Sequence, residues 1–164
     1  MAAYIALERA MRAGDLAGVR EAVGDDPAFP NVSDLYTNTP LLSLALHWAP
    51  VPTVAELLRL GADPNYEARD GFPSLVLVAL HGREDLHELL AMLIAAGASL
   101  DQRGHNDWTP LHAAASRDDA DAIRILLAAG ADPTLRTRID DRMTALEESE
   151  HFGNERAAAA LRGT

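Results

Sequence analysis

Apolar residues recur along this chain in short runs that fit one face of a helix. In residues 109–133, which read TPLHAAASRDDADAIRILLAAGADP, Ile123, Leu126 and Leu127 stand three and four positions apart. This spacing predicts a helix with one buried stripe, so we expect both leucines in the core. Gly130 follows the apolar run, where helices commonly end in the left-handed conformation. A first, alanine-rich helix is expected to begin at the Thr-Pro pair that opens the stretch.

The same order of features recurs along the chain. The letters GAD stand at 61–63 and 130–132, GAS stands at 97–99, and each follows an apolar run. The units begin at Thr39, Pro73, Thr109 and Thr144, so successive unit starts are 34, 36 and 35 positions apart. A turn and two short helices cannot bury their apolar faces alone, so we expect the units to stack on one another.

The period and the order of these features resemble the ankyrin repeat, a β-turn followed by two antiparallel helices. Asn31 and Asn65 each stand eight residues before a unit start, which is the register of the family's turn. The resemblance implies an all-α ankyrin-repeat solenoid of about five stacked helix pairs with short β-turn hairpins. The single domain, 1–164, would consist of an N-terminal cap (1–38), three full repeats (39–72, 73–108 and 109–143) and a polar C-terminal cap (144–164).

The amino-acid composition excludes several classes of function for this chain. Aromatic residues make up 5% of the 164 residues, so the core must consist mainly of Ala, Leu, Val and Ile. The formal net charge of −11 argues against a nucleic-acid partner, which would require a basic face. The absence of Cys excludes disulfides, thiol catalysis and cysteine zinc sites. All 14 cationic residues are arginine, which excludes Schiff-base chemistry on lysine.

The sequence also predicts a soluble, acidic, cytoplasmic protein that is monomeric alone. The N-terminal stretch carries Glu8 and Arg9, unlike a signal peptide, and no apolar run approaches the roughly 20 residues that span a bilayer. No nucleotide-binding or nucleophile motif is present, so we expect no cofactor and no catalytic residue. His87-Glu88 resembles half of a zinc-protease helix, but residue 91 is Ala, so no metal is expected.

The resemblance implies that the chain binds another protein through a concave face formed by the inner helices and the inner edge of the turns. Phe72 and Trp108 stand just before unit starts, while His47, His81 and Arg117 stand eight residues after them. His112 would instead tie neighbouring turns together by hydrogen bonds. The ten residues predicted to contact the partner are Tyr36, His47, Arg69, Phe72, His81, Arg103, His105, Trp108, Arg117 and Arg138.

Two alternatives remain open from the sequence. The row of His47, His81 and Arg117 could bind an anion or act as acid and base in a small enzyme or ligand-binding protein. That role would require a closed pocket around the two histidines. The other alternative is a neutralising, immunity-like partner of a toxin, which would also act by protein binding.

Overall fold

The computed structural model describes residues 2–34, 37–66, 71–139 and 142–163. In these ranges the chain forms ten α-helices, one short 3-10 helix at His105–Asp107 and isolated β-bridges, with no β-strand. The all-α prediction is therefore confirmed. The α-helices are α1 (Ala2–Ala13), α2 (Leu16–Val23), α3 (Leu41–Trp48), α4 (Val51–Arg59), α5 (Ser74–His81), α6 (Leu86–Ala95), α7 (Pro110–Ser116), α8 (Ala120–Ala129), α9 (Ala145–Phe152) and α10 (Glu155–Arg162).

The helices pack as consecutive pairs, and the pairs stack. We call α1, α3, α5, α7 and α9 the first helices, and their partners the second helices. Each first helix packs against the next one in the chain, and α4, α6, α8 and α10 form a second such layer. The bridges Ser33–Pro40 and Arg136–Thr144 close two of the turns between pairs. None of the helices in the ranges above has both the length and the apolar character that crossing a bilayer requires.

The core consists mainly of leucine, valine and alanine from both layers. Leu41, Leu75 and Leu111, two residues after successive unit starts, are almost completely buried. The prediction for α8 was half wrong: Leu126 is fully buried, but Leu127 is only partly buried and packs at the margin of the core. Consecutive helical residues point about 100° apart, so only one of the two can face the stack directly. Gly130 ends α8 in the left-handed conformation, as expected.

Asparagine side chains link successive turns in the register that the sequence indicates. Asn31 Nδ2 donates to the carbonyl of Gly61 (2.9 Å), and Asn31 Oδ1 accepts from the amide of Asp63 (2.7 Å). Asn65 makes the same pair of bonds with Gly97 and Ser99. In the turn that follows α6, Asp101 occupies this position and accepts from the amide of Asp132 (3.3 Å). A carboxylate has no N–H to donate, so the second bond of the pair is lost there.

The last helix pair is attached to the stack by apolar and polar contacts. Ala157 and Leu161 of α10 are buried, and α10 packs against α8. Asn154 Nδ2 donates to the carbonyl of Ala115 (2.9 Å), and Asp118 accepts from the amide of Ala157 (2.7 Å). These contacts fix the C-terminal pair to the unit before it.

Candidate functional site

Four side chains at one register position form what we call the helix-end row. His47, His81, Arg117 and Phe152 each stand at or next to the C-terminal end of a first helix, eight residues after a unit start. Because the first helices pack side by side, these residues follow one another along the stack. The imidazole rings of His47 and His81 meet edge to face, with centroids 4.3 Å apart. Phe152, at the far end, is 66% exposed.

The Arg117 side chain of the row lies against Gly82. This residue follows α5 with a φ of 60°, in the left-handed region that favours glycine. The guanidinium of Arg117 lies over it, so that a Cβ at position 82 would stand 2.6 Å from the guanidinium carbon. The Arg117 guanidinium therefore lies against the residue that follows His81. The structure thus brings together all three members of the predicted row, but His81 and Arg117 are exposed to solvent. The closed pocket that the enzyme alternative requires is not formed there.

Aromatic and cationic groups that sequence reasoning missed extend the row toward the N-terminus. Trp48 lies beside His47, with ring centroids 6.1 Å apart, and Tyr4 meets Trp48 edge to face at 6.2 Å. The guanidinium of Arg12 lies 5.3 Å from the centre of the Trp48 ring, within the range of a cation–π interaction, and is paired with Glu8. In the sequence, Trp48 stands directly after His47, and this cluster could have been predicted from that position.

The turns contribute a second group, which we call the turn edge: Phe72, His105 and Trp108. Phe72 is half-buried against the core, and its ring stacks on that of His105 in the next turn, with centroids 5.8 Å apart. His105 is exposed and Trp108 is half-buried. The turn edge therefore combines one stacked pair from adjacent turns with a partly accessible indole.

The predicted contact residues Arg103 and Arg138 both bind Asp107. Arg103 Nη1 is 2.8 Å from Asp107 Oδ2, and Arg138 Nη2 is 2.7 Å from Asp107 Oδ1. The hydrogen bond from Arg138 is the largest cause that lowers the pKa of Asp107 below its ordinary value. The two guanidinium groups therefore share the single carboxylate of Asp107, and the Arg138 contact links consecutive turns, although the Arg138 side chain remains 72% exposed. The other two predicted contact residues, Tyr36 and Arg69, lie outside the described residues.

Two further histidines have structural roles. Buried His112 donates from Nε2 to the carbonyl of Met143 (3.1 Å), while Nδ1 lies 2.8 Å from Thr109 Oγ1. Burial lowers the pKa of His112, which favours the neutral ring, and the expected tie between turns is confirmed. His87 Nε2 is 3.0 Å from both carboxylate oxygens of Asp119. Among the residues whose placement is described, no cluster of acidic and histidine side chains is arranged to hold a metal.

A comparison of the chain with models of protein families agrees with the repeated geometry. A profile for ankyrin repeats (3 copies) matches residues 42–137 and, in an overlapping match, residues 75–162. The chain belongs to the ankyrin repeat family. Ankyrin repeats generally mediate protein–protein interaction.

Three curated relatives share a stretch of similar sequence with this ankyrin repeat chain. Alpha-latrocrustotoxin-Lt1a of Latrodectus tredecimguttatus is 33% identical over 114 residues, which cover 70% of this chain and 8% of the toxin. Alpha-latroinsectotoxin-Lt1a of the same species is 35% identical over 109 residues, which cover 66% of this chain and 7% of the toxin. Glycerophosphocholine phosphodiesterase gde1 of Schizosaccharomyces pombe is 35% identical over 88 residues, which cover 54% of this chain and 8% of the enzyme. The chain thus spans less than a tenth of the length of each relative.

Proposed function

We propose that this ankyrin repeat chain binds a partner protein along its concave face, using the helix-end row and the turn edge. A partner lying along the groove would contact both groups and bury on the order of 800 Å² on each side. Most of the binding energy would come from a few large side chains, of which Phe152, Arg117 and Trp108 are the strongest candidates.

The helix-end row is the observation that carries this proposal. Four successive first helices present rings or a guanidinium at the same position, and Phe152 is 66% exposed there. A phenyl ring exposed to this degree contributes little to the fold, because it removes little apolar surface from water. Aromatic residues and arginine are the types that most often dominate the energy of protein interfaces. The row therefore has the composition of an interface that lacks its partner.

The experiment is affinity capture from the source cell, followed by calorimetry with the captured protein. We expect Phe152→Ala, Arg117→Ala and Trp108→Ala each to weaken binding, by about 2 kcal/mol or more for a hot spot. Their melting temperatures should stay close to that of the wild type.

Matched controls lie in the layer of second helices. Leu60→Ala removes an exposed apolar side chain at the end of α4, and Glu56→Arg and Asp121→Arg reverse exposed charges on α4 and α8. These variants should bind normally. If they abolish binding while the row and turn-edge variants bind normally, the partner uses another face.

A further inference from the structure

We infer that one buried proton controls the last helix pair: when the carboxyl group of Glu148 becomes charged, α9 and α10 unfold locally while the rest of the stack stays folded. This opening is a property of the chain alone and does not depend on the proposed function. It makes exposure of the surface of α7 and α8 that the last pair covers depend on pH.

Glu148 is an ionisable residue at a position that is neutral in the full repeats. It stands four residues after a unit start, and the matching residues of the three full repeats are Ser43, Leu77 and Ala113. All four side chains are buried, so this position faces the interior in each of these units. Among the four, only the residue of the last pair can carry a charge near neutral pH.

The carboxyl group of Glu148 lacks the donors that a buried carboxylate needs. Within the described ranges the buried carboxyl groups are those of Asp34 and Glu148. Asp34 accepts hydrogen bonds from the amides of Thr37 (2.8 Å) and Thr39 (3.0 Å), whereas Oε2 of Glu148 has no hydrogen-bond partner there. Because a buried charge without donors is costly, burial raises the pKa of Glu148 from 4.5 to about 7.

Charged neighbours do not offset this cost. α9 packs against α7 and α10, on which Glu147 pairs with Arg136 and Glu150 pairs with Arg162. Arg117, directly after α7, lies against Gly82. The other ionisable groups on these helices are the buried His112 and the exposed His151, Glu155 and Arg156. In the part of the chain that the structure describes, none of these groups forms an ion pair or a hydrogen bond with Glu148.

The last pair is held to the stack by few large apolar side chains. Its buried apolar residues are Ala145, Ala157, Ala158 and Leu161, of which only the leucine is large. In the described ranges α9 and α10 pack against one neighbouring pair, α7 and α8, whereas the inner pairs are packed on both sides. Stacked repeats contribute separate increments of stability, and weakly packed terminal elements open at the lowest free energy. A buried charge in this pair is therefore relieved by local unfolding before the whole stack unfolds.

Linkage gives the sign and the size of the effect. The locally unfolded form binds the Glu148 proton with the ordinary pKa of 4.5, and the folded form binds it with a pKa of about 7. The opening equilibrium is therefore constant at low pH, rises as the pH increases between these two values, and levels off by about pH 8. From pH 6 to pH 8 it should rise about tenfold.

Amide hydrogen exchange of the full chain, followed residue by residue by NMR, measures this opening. Exchange rates at pH 6 and pH 8, divided by those of an unstructured chain, give the opening equilibrium of each helix. We expect the amides of α10 to open more readily than those of α4 at both pH values, and about tenfold more readily at pH 8 than at pH 6. Equal opening of α10 and α4 would overturn the inference, because the last pair would then unfold only with the whole stack.

Variants assign the effect to one carboxyl group. Glu148→Gln and Glu148→Leu should both lose the tenfold change in α10, since neither new side chain can release a proton. Glu155→Gln, which removes an exposed carboxyl group from α10, should keep the change. Circular dichroism checks the folding of each variant. A full pH dependence in the Glu148 variants, or its loss in Glu155→Gln, would overturn the inference.

The titration of Glu148 is also measurable directly in the wild-type chain. The NMR signal of its side-chain carboxyl carbon should have a midpoint close to pH 7. A midpoint near the ordinary value would overturn the inference, because the carboxyl group would then be charged at neutral pH in the closed stack.

Discussion

The carboxyl group of Glu148 is buried near the C-terminal end of the stack of helix pairs. The residue is only 7% exposed, and its Oε2 has no hydrogen-bond partner among the described residues. Burial raises the pKa of Glu148 from 4.5 to about 7. The folded protein therefore holds this proton over a range of pH in which the unfolded chain has released it.

The sign of the resulting pH dependence follows from linkage. Between pH 4.5 and 7 the folded state binds the proton more tightly, so the free energy of unfolding falls as the pH rises through this window. The loss from Glu148 should reach at most about 3 kcal/mol at pH 8. Glu148→Gln should lack this loss, which urea denaturation at pH 4.5 and pH 8 would measure. Glu21→Gln, on the exposed side of α2, is the matched control and should behave as the wild type does. A Glu148→Gln protein with the full wild-type pH dependence would contradict this assignment.

Adjacent leucines in α8 should differ in their effect on stability. Leu126→Ala removes a fully buried side chain and should lower the free energy of unfolding by roughly 2–5 kcal/mol. Leu127→Ala removes a partly buried one and should lower it by clearly less, because fewer buried contacts are lost. Chemical denaturation of the two variants tests this ranking. Equal losses would mean that the two side chains are packed equally well.

The sequence predicted residues whose environment depends on local spacing, and missed those whose environment depends on stacking. The spacing of Ile123 and Leu126 was enough to predict the buried stripe of α8, but the partial exposure of Leu127 depends on how neighbouring pairs pack. Glu148 occupies the register position of Ser43 and Leu77, which are also buried. Its burial was missed because a glutamate in a polar C-terminal cap reads as a solvent-exposed residue.

At the scale of elements, the link that Asp101 makes to the next turn has one hydrogen bond fewer than the links made by Asn31 and Asn65. Asp101→Asn should restore the missing bond, since the new amide could donate to the carbonyl of Gly130 as Asn65 does to that of Gly97. We expect the free energy of unfolding to rise by roughly 0.5–1.5 kcal/mol. The reciprocal change, Asn65→Asp, should lower it by a similar amount. Denaturation curves of both variants measure the effect, and a stabilised Asn65→Asp protein would contradict the role assigned to these side chains.

The candidate site was partly predictable at this scale. Equal offsets from the unit starts predicted that His47, His81 and Arg117 lie in one row, and the helix stack places them so. The link from Asp107 to Arg103 and Arg138 was not predicted, because it depends on the conformation of two turns, including a positive φ at Asp107. The contact of Arg117 with Gly82 was missed because it joins two units rather than neighbours in the sequence.

At the scale of the whole molecule, the last helix pair protects the unit before it. Deletion of residues 144–164 would remove α9 and α10 and expose the apolar surface of α7 and α8 that they cover. Terminal repeats are required for solubility in stacked folds of this kind, so we expect aggregation and loss of helicity. Circular dichroism measures the loss of helicity, and size-exclusion chromatography measures the aggregation.

A point variant in the same region controls for the deletion. Arg162→Ala breaks only an exposed ion pair with Glu150 and should leave the elution volume and the stability as they are in the wild type. A truncated chain as stable and as soluble as the wild type would show that the last pair does not act as a cap.

The regular spacing of the first helices sets a length for whatever lies along them. Packed helices stand roughly 8–10 Å apart, so the three steps from His47 to Phe152 span about 25–30 Å. An extended peptide advances about 3.3 Å per residue and a helix about 1.5 Å, so full occupancy requires about eight residues of strand or about 18 of helix. A shorter segment reaches only some of the four positions. Insertion or removal of one unit would change the matching length in steps of about three extended residues.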